Sequence, residues 1–598
     1  MENANEDNLL ETLRLRLPFV LLALLLLSLV LMMRLTSLAI GALSAPDAAY
    51  VDAQRAALYE GTIQFQGARG TIYDRNGAEL AVNQMACTVA INPPLIRDPL
   101  SAARQLSPLV ERSVKELYEI AASDVLWQSL VSVLEPLPGE RCQALDELAI
   151  LGIDISMLNR RTYPQNRLAA QVIGFINYDV NQPSGFGIEG YYHNLLSGKT
   201  RDVSLGANLY DVPPDLHHED QGHDLTLTLD REIQFFVEDS LDQALETTQA
   251  ISGSIILMGV ETGEVLAMAN LPGYDPNRFF AIEDANVLKN NAIGAAYEPG
   301  AIMIPITLAG ALENKSVSPE WRFLDRGELI FSGQRVVNAD LAAYGEVGIK
   351  EILVHGTQIG AAEVAIEMGA TAFYEALGRF GLGDTTGIDL AGEAAGELRL
   401  PGHTEWSDEH LLRNSYGHLL EVTPMQLVSM YAAIANEGVM MQPHLVSQVW
   451  DHSSVEGARS IEPTLVTYGK RVLSAENAAH LLELLQQNIV NDTATLAGLH
   501  DYELAGYFAR AAIPDLTGYA AEEYNMTFVG IFPVDEPEFV LLIKLEQPTS
   551  GESAPTVLWP ITQNLMEKLV IQLEILPEAD RTSWDLSDRM ARSEPDAD

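Results

Sequence analysis

A lysine amine one helical turn after a serine can take the hydroxyl proton and make that oxygen a nucleophile. The chain carries eight lysines, Lys115, Lys199, Lys289, Lys315, Lys350, Lys470, Lys544 and Lys568, and no serine stands three residues before any of them. The two cysteines, Cys87 and Cys142, match no zinc or redox spacing. On the oxidising side of a membrane they could pair, but sequence supplies no geometry, so a disulfide and two free thiols both stay open. No arrangement of metal ligands or cofactor-binding loop stands out, so neither a metal nor a cofactor is expected.

The elements that would position such groups are easier to find. At 598 residues the chain exceeds one compact core, and roughly 150 residues per domain implies about two to four folded units. With 47% hydrophobic and 20% charged residues most of it should fold. A balance of 36 basic against 83 acidic residues, net −47, opposes binding to nucleic acid through bulk electrostatics, and acidity of this kind chiefly keeps a protein soluble.

One segment is different. Leu17 to Met33 reads LPFVLLALLLLSLVLMM, and with LTSLAIGAL it makes a span at 17–43 long enough, at about 1.5 Å per residue, to cross a hydrocarbon core of about 30 Å. Arg34 lies near one interface and can snorkel. A cleaved signal peptide, cut among the small residues around Ala42 to Ala45, is the alternative; the apolar run is longer than a usual signal core, so an uncleaved anchor is expected. Arg14 and Arg16 put a short tail, 1–16, in the cytoplasm, with Arg34 weakening the bias. A single pass through the cytoplasmic membrane then leaves the rest outside, ending in an acidic, disordered tail at 576–598.

The exported part opens with RGTIYDRNGAELAVN from Arg69, in which a β-rich run meets the turn former Arg75-Asn76-Gly77 and resumes apolar. VAINPP from Val89, RRTYPQNRLAAQVIGFIN from Arg160, GFGIEGYYHNLLSGK from Gly185 and DLTLTLDREIQ from Asp224 come after it. In this order the segments resemble the pedestal of class B penicillin-binding proteins. Arg69, Asp74, Arg75 and Glu189 then read as turn and buried-ion residues rather than chemical ones. SGSIILMGVETGEVLAMANLPGYDPNRF from Ser252, FGLGDTTGIDLAGEAAG from Phe380, VTPMQLVSMYAAIANEGVMMQPHLV from Val422 and MTFVGIFP from Met526 extend the resemblance to the family's transpeptidase domain. The resemblance implies an α+β multidomain fold: a pedestal or dimerisation domain at 50–245, then a transpeptidase domain at 250–575 with an antiparallel sheet flanked by helices. The space before the pedestal is too short for a glycosyltransferase domain, which separates class B from bifunctional class A.

In that family three motifs carry acyl transfer from a D-Ala-D-Ala stem peptide, and here all three are altered. YEPGAIMIPITLAGAL from Tyr297 matches the Ser-x-x-Lys segment, with Ala301 at the serine position and Ile304 at the lysine position. HGTQIG from His355 matches Ser-x-Asn, with Gly356 for the serine and Gln358 for the asparagine; His355 beside it reads as structural. PDLTGYAAE matches Lys-Thr-Gly, with Leu516 for the lysine and Thr517 and Gly518 retained. The resemblance places an oxyanion hole at the amides of Ala301 and Tyr519, with the Tyr519 ring filling part of the groove.

A methyl group and a sec-butyl group neither attack a carbonyl nor carry a proton. The expectation is therefore a pseudoenzyme, a scaffold or regulator in cell-wall synthesis serving elongation, division or sporulation. Its expected partners are the membrane and a polytopic peptidoglycan glycosyltransferase or other cell-wall proteins. One alternative is a module that binds stem peptide through Gln358, Thr517 and Gly518. The other is an active D,D-transpeptidase that binds penicillin.

Overall fold

The computed structural model describes residues 22, 24–36, 61–177, 184–205, 221–451, 459–461, 469–493, 502–515, 518–549 and 551–577. The expected tail 1–16, most of the anchor 17–43, the acidic tail beyond 577, and Leu516 and Thr517 lie outside them. Among the described residues no helix is long and apolar enough to cross a membrane. Residues 24–36 are helical, with large apolar side chains such as Leu25 and Met32 exposed.

The chain divides into two compact units. One takes in Met1–Gly67 and Lys199–Gln221, and its described strands, Gly61–Gln66 and Thr200–Leu205, pair antiparallel. The other holds Ala68–Gly198 and the described residues from Gly222 onward.

Within this second unit the first sheet is built on Ile72–Tyr73 (β1), Glu79–Ile91 (β2), Gln128–Val131 (β3), Ile153–Thr162 (β4) and Asp224–Leu227 (β5). The spine is β2, antiparallel to β1, β3 and β4, with Val82 opposite Thr162. Asp74 ties its hairpin turn to a segment far along the chain: Oδ1 accepts from the N–H groups of Asn76 and Ala78, and Oδ2 from that of Arg231. A satellite lobe packs Pro99–Val110 (α1), Val114–Ala121 (α2) and Gly139–Glu147 (α3) around Cys87 and Cys142, which form a disulfide with Cα atoms 5.9 Å apart.

The second sheet is antiparallel. It comprises Ser252–Gly259 (β6), Val265–Leu271 (β7), Ala505–Asp515 (β8), Gly518–Phe532 (β9) and Phe539–Glu546 (β10), in the order β7-β6-β10-β9-β8. Every residue of β6 is buried, because both faces are covered, and its apolar run is continuous for that reason. Ile255 and Leu257 meet Arg231–Thr248 (α4) and Ala554–Gln572 (α9). Ile256 and Met258 join the larger core with Ile304–Glu313 (α5), Gln358–Arg379 (α6), Pro424–Ala435 (α7) and Ala475–Thr493 (α8). A capping box starts α7: Thr423 Oγ1 accepts from Gln426 N–H, and Gln426 Oε1 from Thr423 N–H.

Two long-range pairings depart from a linear division at 245/250. The helix α4, expected in the pedestal, buries Val237 and Leu241 in the core of the second sheet. The strand Val446–Asp451, deep in the second half of the chain, pairs with β5 of the first sheet.

Candidate functional site

The segment expected to carry the nucleophile is held on both sides. Tyr297 exchanges backbone hydrogen bonds with Val422, each 3.0 Å, and its hydroxyl lies 2.9 Å from Thr527 Oγ1. Gly300 has φ +67°, its N–H donates to Gly417 O, and a Cβ on it would stand 2.7 Å from Ala511 Cβ, so only glycine fits. The chain then makes a 3-10 turn, Gly300–Met303, and enters α5 at Ile304. Ala301 is partly buried in the turn, while Ile304 is fully buried in the main core.

The second expected segment follows the helix Ile349–His355, which ends at Gly356 with φ +59°. Thr357 caps α6 by accepting from Gly360 N–H, and Gln358 is the first residue of that helix, partly buried. His355 is exposed and stacks on Tyr344 with ring centroids 4.3 Å apart.

The third expected segment is described only at its ends. Asp515 pairs with Gly518 where β8 meets β9, and Leu516 and Thr517 between them lie outside the described residues. The strand beside the Ala301 turn is the edge strand β8. Its Tyr507, 3% exposed, donates its hydroxyl to Leu353 O at 3.1 Å, and the Tyr507 hydroxyl oxygen stands 3.4 Å from where a Gly356 Cβ would be. The strand backbone next to Gly300 is Arg510–Ala511; Tyr519, expected there as an oxyanion donor, pairs with Pro514 in the hairpin instead.

Tyr519 nevertheless reaches the site by its side chain. Its hydroxyl donates to Glu298 Oε2 at 3.0 Å, and its ring meets that of His418 edge-on at 5.1 Å. Burial raises the Glu298 carboxyl above its usual range, over the opposing hydrogen bonds from the Tyr519 hydroxyl and the Leu419 N–H. Burial, with Arg413 nearby, pulls His418 down to about 4. The imidazole is therefore neutral near pH 7, and its Nδ1, 3.6 Å from Glu298 Oε2, is no ion-pair partner. Sequence reasoning missed both groups, although Glu298 lies inside the YEPGA segment.

One buried amine underlies this face of the sheet. Lys544 Nζ sits 4.4 Å from the centroid of the Tyr297 ring and 3.7 Å from Glu546 Oε2, and burial lowers its pKa. A Ser-x-x-Lys spacing does not find it, because its partners come from other strands.

Residues 253–567 match the family model of the penicillin binding protein transpeptidase domain, and residues 64–202 that of the penicillin-binding protein dimerisation domain. The stage V sporulation protein D of Bacillus subtilis is 26% identical, over 86% of this chain and 80% of its own length. A probable peptidoglycan D,D-transpeptidase, PbpC of Pseudomonas aeruginosa, is 28% identical over 87% and 89%. Among solved structures, penicillin binding protein 2X from Streptococcus thermophilus aligns with TM-score 0.68 and 17% identity over 85% of this chain and 80% of that one.

Proposed function

Since this chain belongs to the class B penicillin-binding proteins, we propose that it is a catalytically silent member acting as a scaffold or regulator in peptidoglycan synthesis. One observation carries the reading: the head of α5 offers a methyl group at Ala301 and a sealed hydrocarbon at Ile304 where acyl transfer needs a hydroxyl and an amine. On the facing strand, the residue opposite Gly356 is Tyr507, which itself offers a substrate carboxylate no charge. Backbone amides alone do not replace a missing nucleophile.

In this reading the pedestal and a single membrane anchor dock a polytopic glycosyltransferase outside the cytoplasm. The Cys87–Cys142 disulfide suits an oxidising compartment. Protease applied outside intact cells, with any outer barrier opened, should then digest the large domain; a protected domain defeats the topology.

Relatives named as D,D-transpeptidases favour a second reading, an active transpeptidase that binds penicillin. The side chains at 301 and 304 oppose it. Incubating the purified chain with a fluorescent penicillin and weighing it intact separates the two. No adduct is expected, and a stoichiometric penicilloyl mass on the unmodified chain would establish the active reading in place of ours.

A further inference from the structure

The edge strand β8 and its hairpin meet the helical wall of the groove at three levels. At one end, the Tyr507 hydroxyl donates to Leu353 O at 3.1 Å, beside Gly356. In the middle, Ala511 lies against Gly300 so closely that no Cβ fits on the glycine. At the hairpin end, the Tyr519 hydroxyl donates to Glu298 Oε2 at 3.0 Å, three residues before Ala301, with its ring against His418.

Seating an extended peptide along a strand edge requires that edge to be free, and a C-terminal carboxylate requires a donor or cation at its end. Here the strand side chain facing Gly356 is a tyrosine whose hydroxyl is already spent on Leu353, and the group at the other end is the carboxyl of Glu298. We propose that Tyr507 and Tyr519 act as two latches that hold the cleft beside Ala301 shut, so that peptides ending in a carboxylate are excluded from it. This rests on the reading of a silent site and sharpens it, because it removes stem-peptide binding as the groove's residual use.

Cys87 and Cys142 are joined to each other, so the variant Ala301→Cys carries a single free thiol, in the partly buried turn before α5. The test is the rate at which a maleimide modifies that thiol in the full chain. Slow labelling is expected for Ala301→Cys alone. Adding Tyr507→Phe and Tyr519→Phe, which keep both rings and remove both hydroxyls, should speed it about tenfold, the opening expected from the loss of two net hydrogen bonds. A Tyr507→Ala, Tyr519→Ala pair should label faster still; where that pair fails to fold, the phenylalanine pair carries the test alone.

The latches are overturned if Ala301→Cys alone labels as fast as the same chain unfolded in urea. They are equally overturned if the phenylalanine pair leaves a slow rate unchanged. A penicilloyl adduct on the unmodified chain sinks the silent-site reading whatever the labelling rate. Rapid labelling without an adduct sinks only the latches and returns stem-peptide binding to the groove.

Discussion

Glu189 and Ile304 are both fully buried, yet the chain surrounds the first with two guanidinium groups and the second with hydrocarbon alone. Arg69 Nε and Arg161 Nε each stand 2.6 Å from a different oxygen of Glu189, and Arg69 also donates to the Glu189 backbone carbonyl at 2.8 Å. Burial works against the charge on Glu189, but Arg161 and Arg69 outweigh it and hold the carboxyl below its usual range. In the groove, by contrast, Ala301 and Ile304 carry no charge, and the partly buried His418 is neutral. Buried charge fastens β4 and the segment around Glu189 together, whereas Ala301 and Ile304, the positions expected to carry the nucleophile and its base, hold none.

The comparison breaks first if Glu189 is not essential to its region. Glu189→Gln leaves two buried guanidinium groups without their counter-charge and should destabilise by about 3–5 kcal/mol in denaturant titration. A change within about 0.5 kcal/mol would mean that water or another acid already serves those arginines.

The satellite lobe gives the next effect. Replacing Cys87 and Cys142 together by alanine frees a long loop in the unfolded chain and should cost about 2–4 kcal/mol. Equal melting of the oxidised and reduced native chain would show that this lobe does not need its staple.

His418 sharpens the contrast through pH. Its folded value of about 4 lies below its ordinary 6.5, so the unfolded chain binds the extra proton between these values. Stability is thus lost as pH falls through that window, by about 2 kcal/mol between pH 7 and pH 5. Glu298, raised, acts in the opposite sense and largely cancels when the same change is made beside His418→Gln. The variant should lose less stability than the parent over that interval; parallel curves would show His418 to be protonated in the fold.

The smallest effect belongs to Ala301→Ser. A partly buried hydroxyl in the turn should change stability by no more than about 0.5 kcal/mol and still form no penicilloyl adduct, since Ile304 supplies no amine one turn on to activate it. An adduct on this variant would point to a hidden base, with Lys544 the first to mutate.

Much of the architecture was legible in short stretches. The turn at Arg75-Asn76-Gly77 is written within a few residues, and the structure shows it. The identities of Ala301 and Ile304 were equally plain. The strand that lies beside Gly300, by contrast, is defined by what lies across from it.

What sequence alone determined are the elements and the residue types at the groove, because propensity, periodicity and capping act over neighbouring residues. The tertiary structure decided which strand faces Gly356, that α4 joins the second sheet, that Val446–Asp451 returns to the first, and that Cys87 meets Cys142. Tyr507 finds Leu353 across 154 residues and Tyr519 finds Glu298 across 221. Such pairings arise from the packing of whole sheets and helices, where each contact is weak and only their sum selects the partner, so no local pattern announces them.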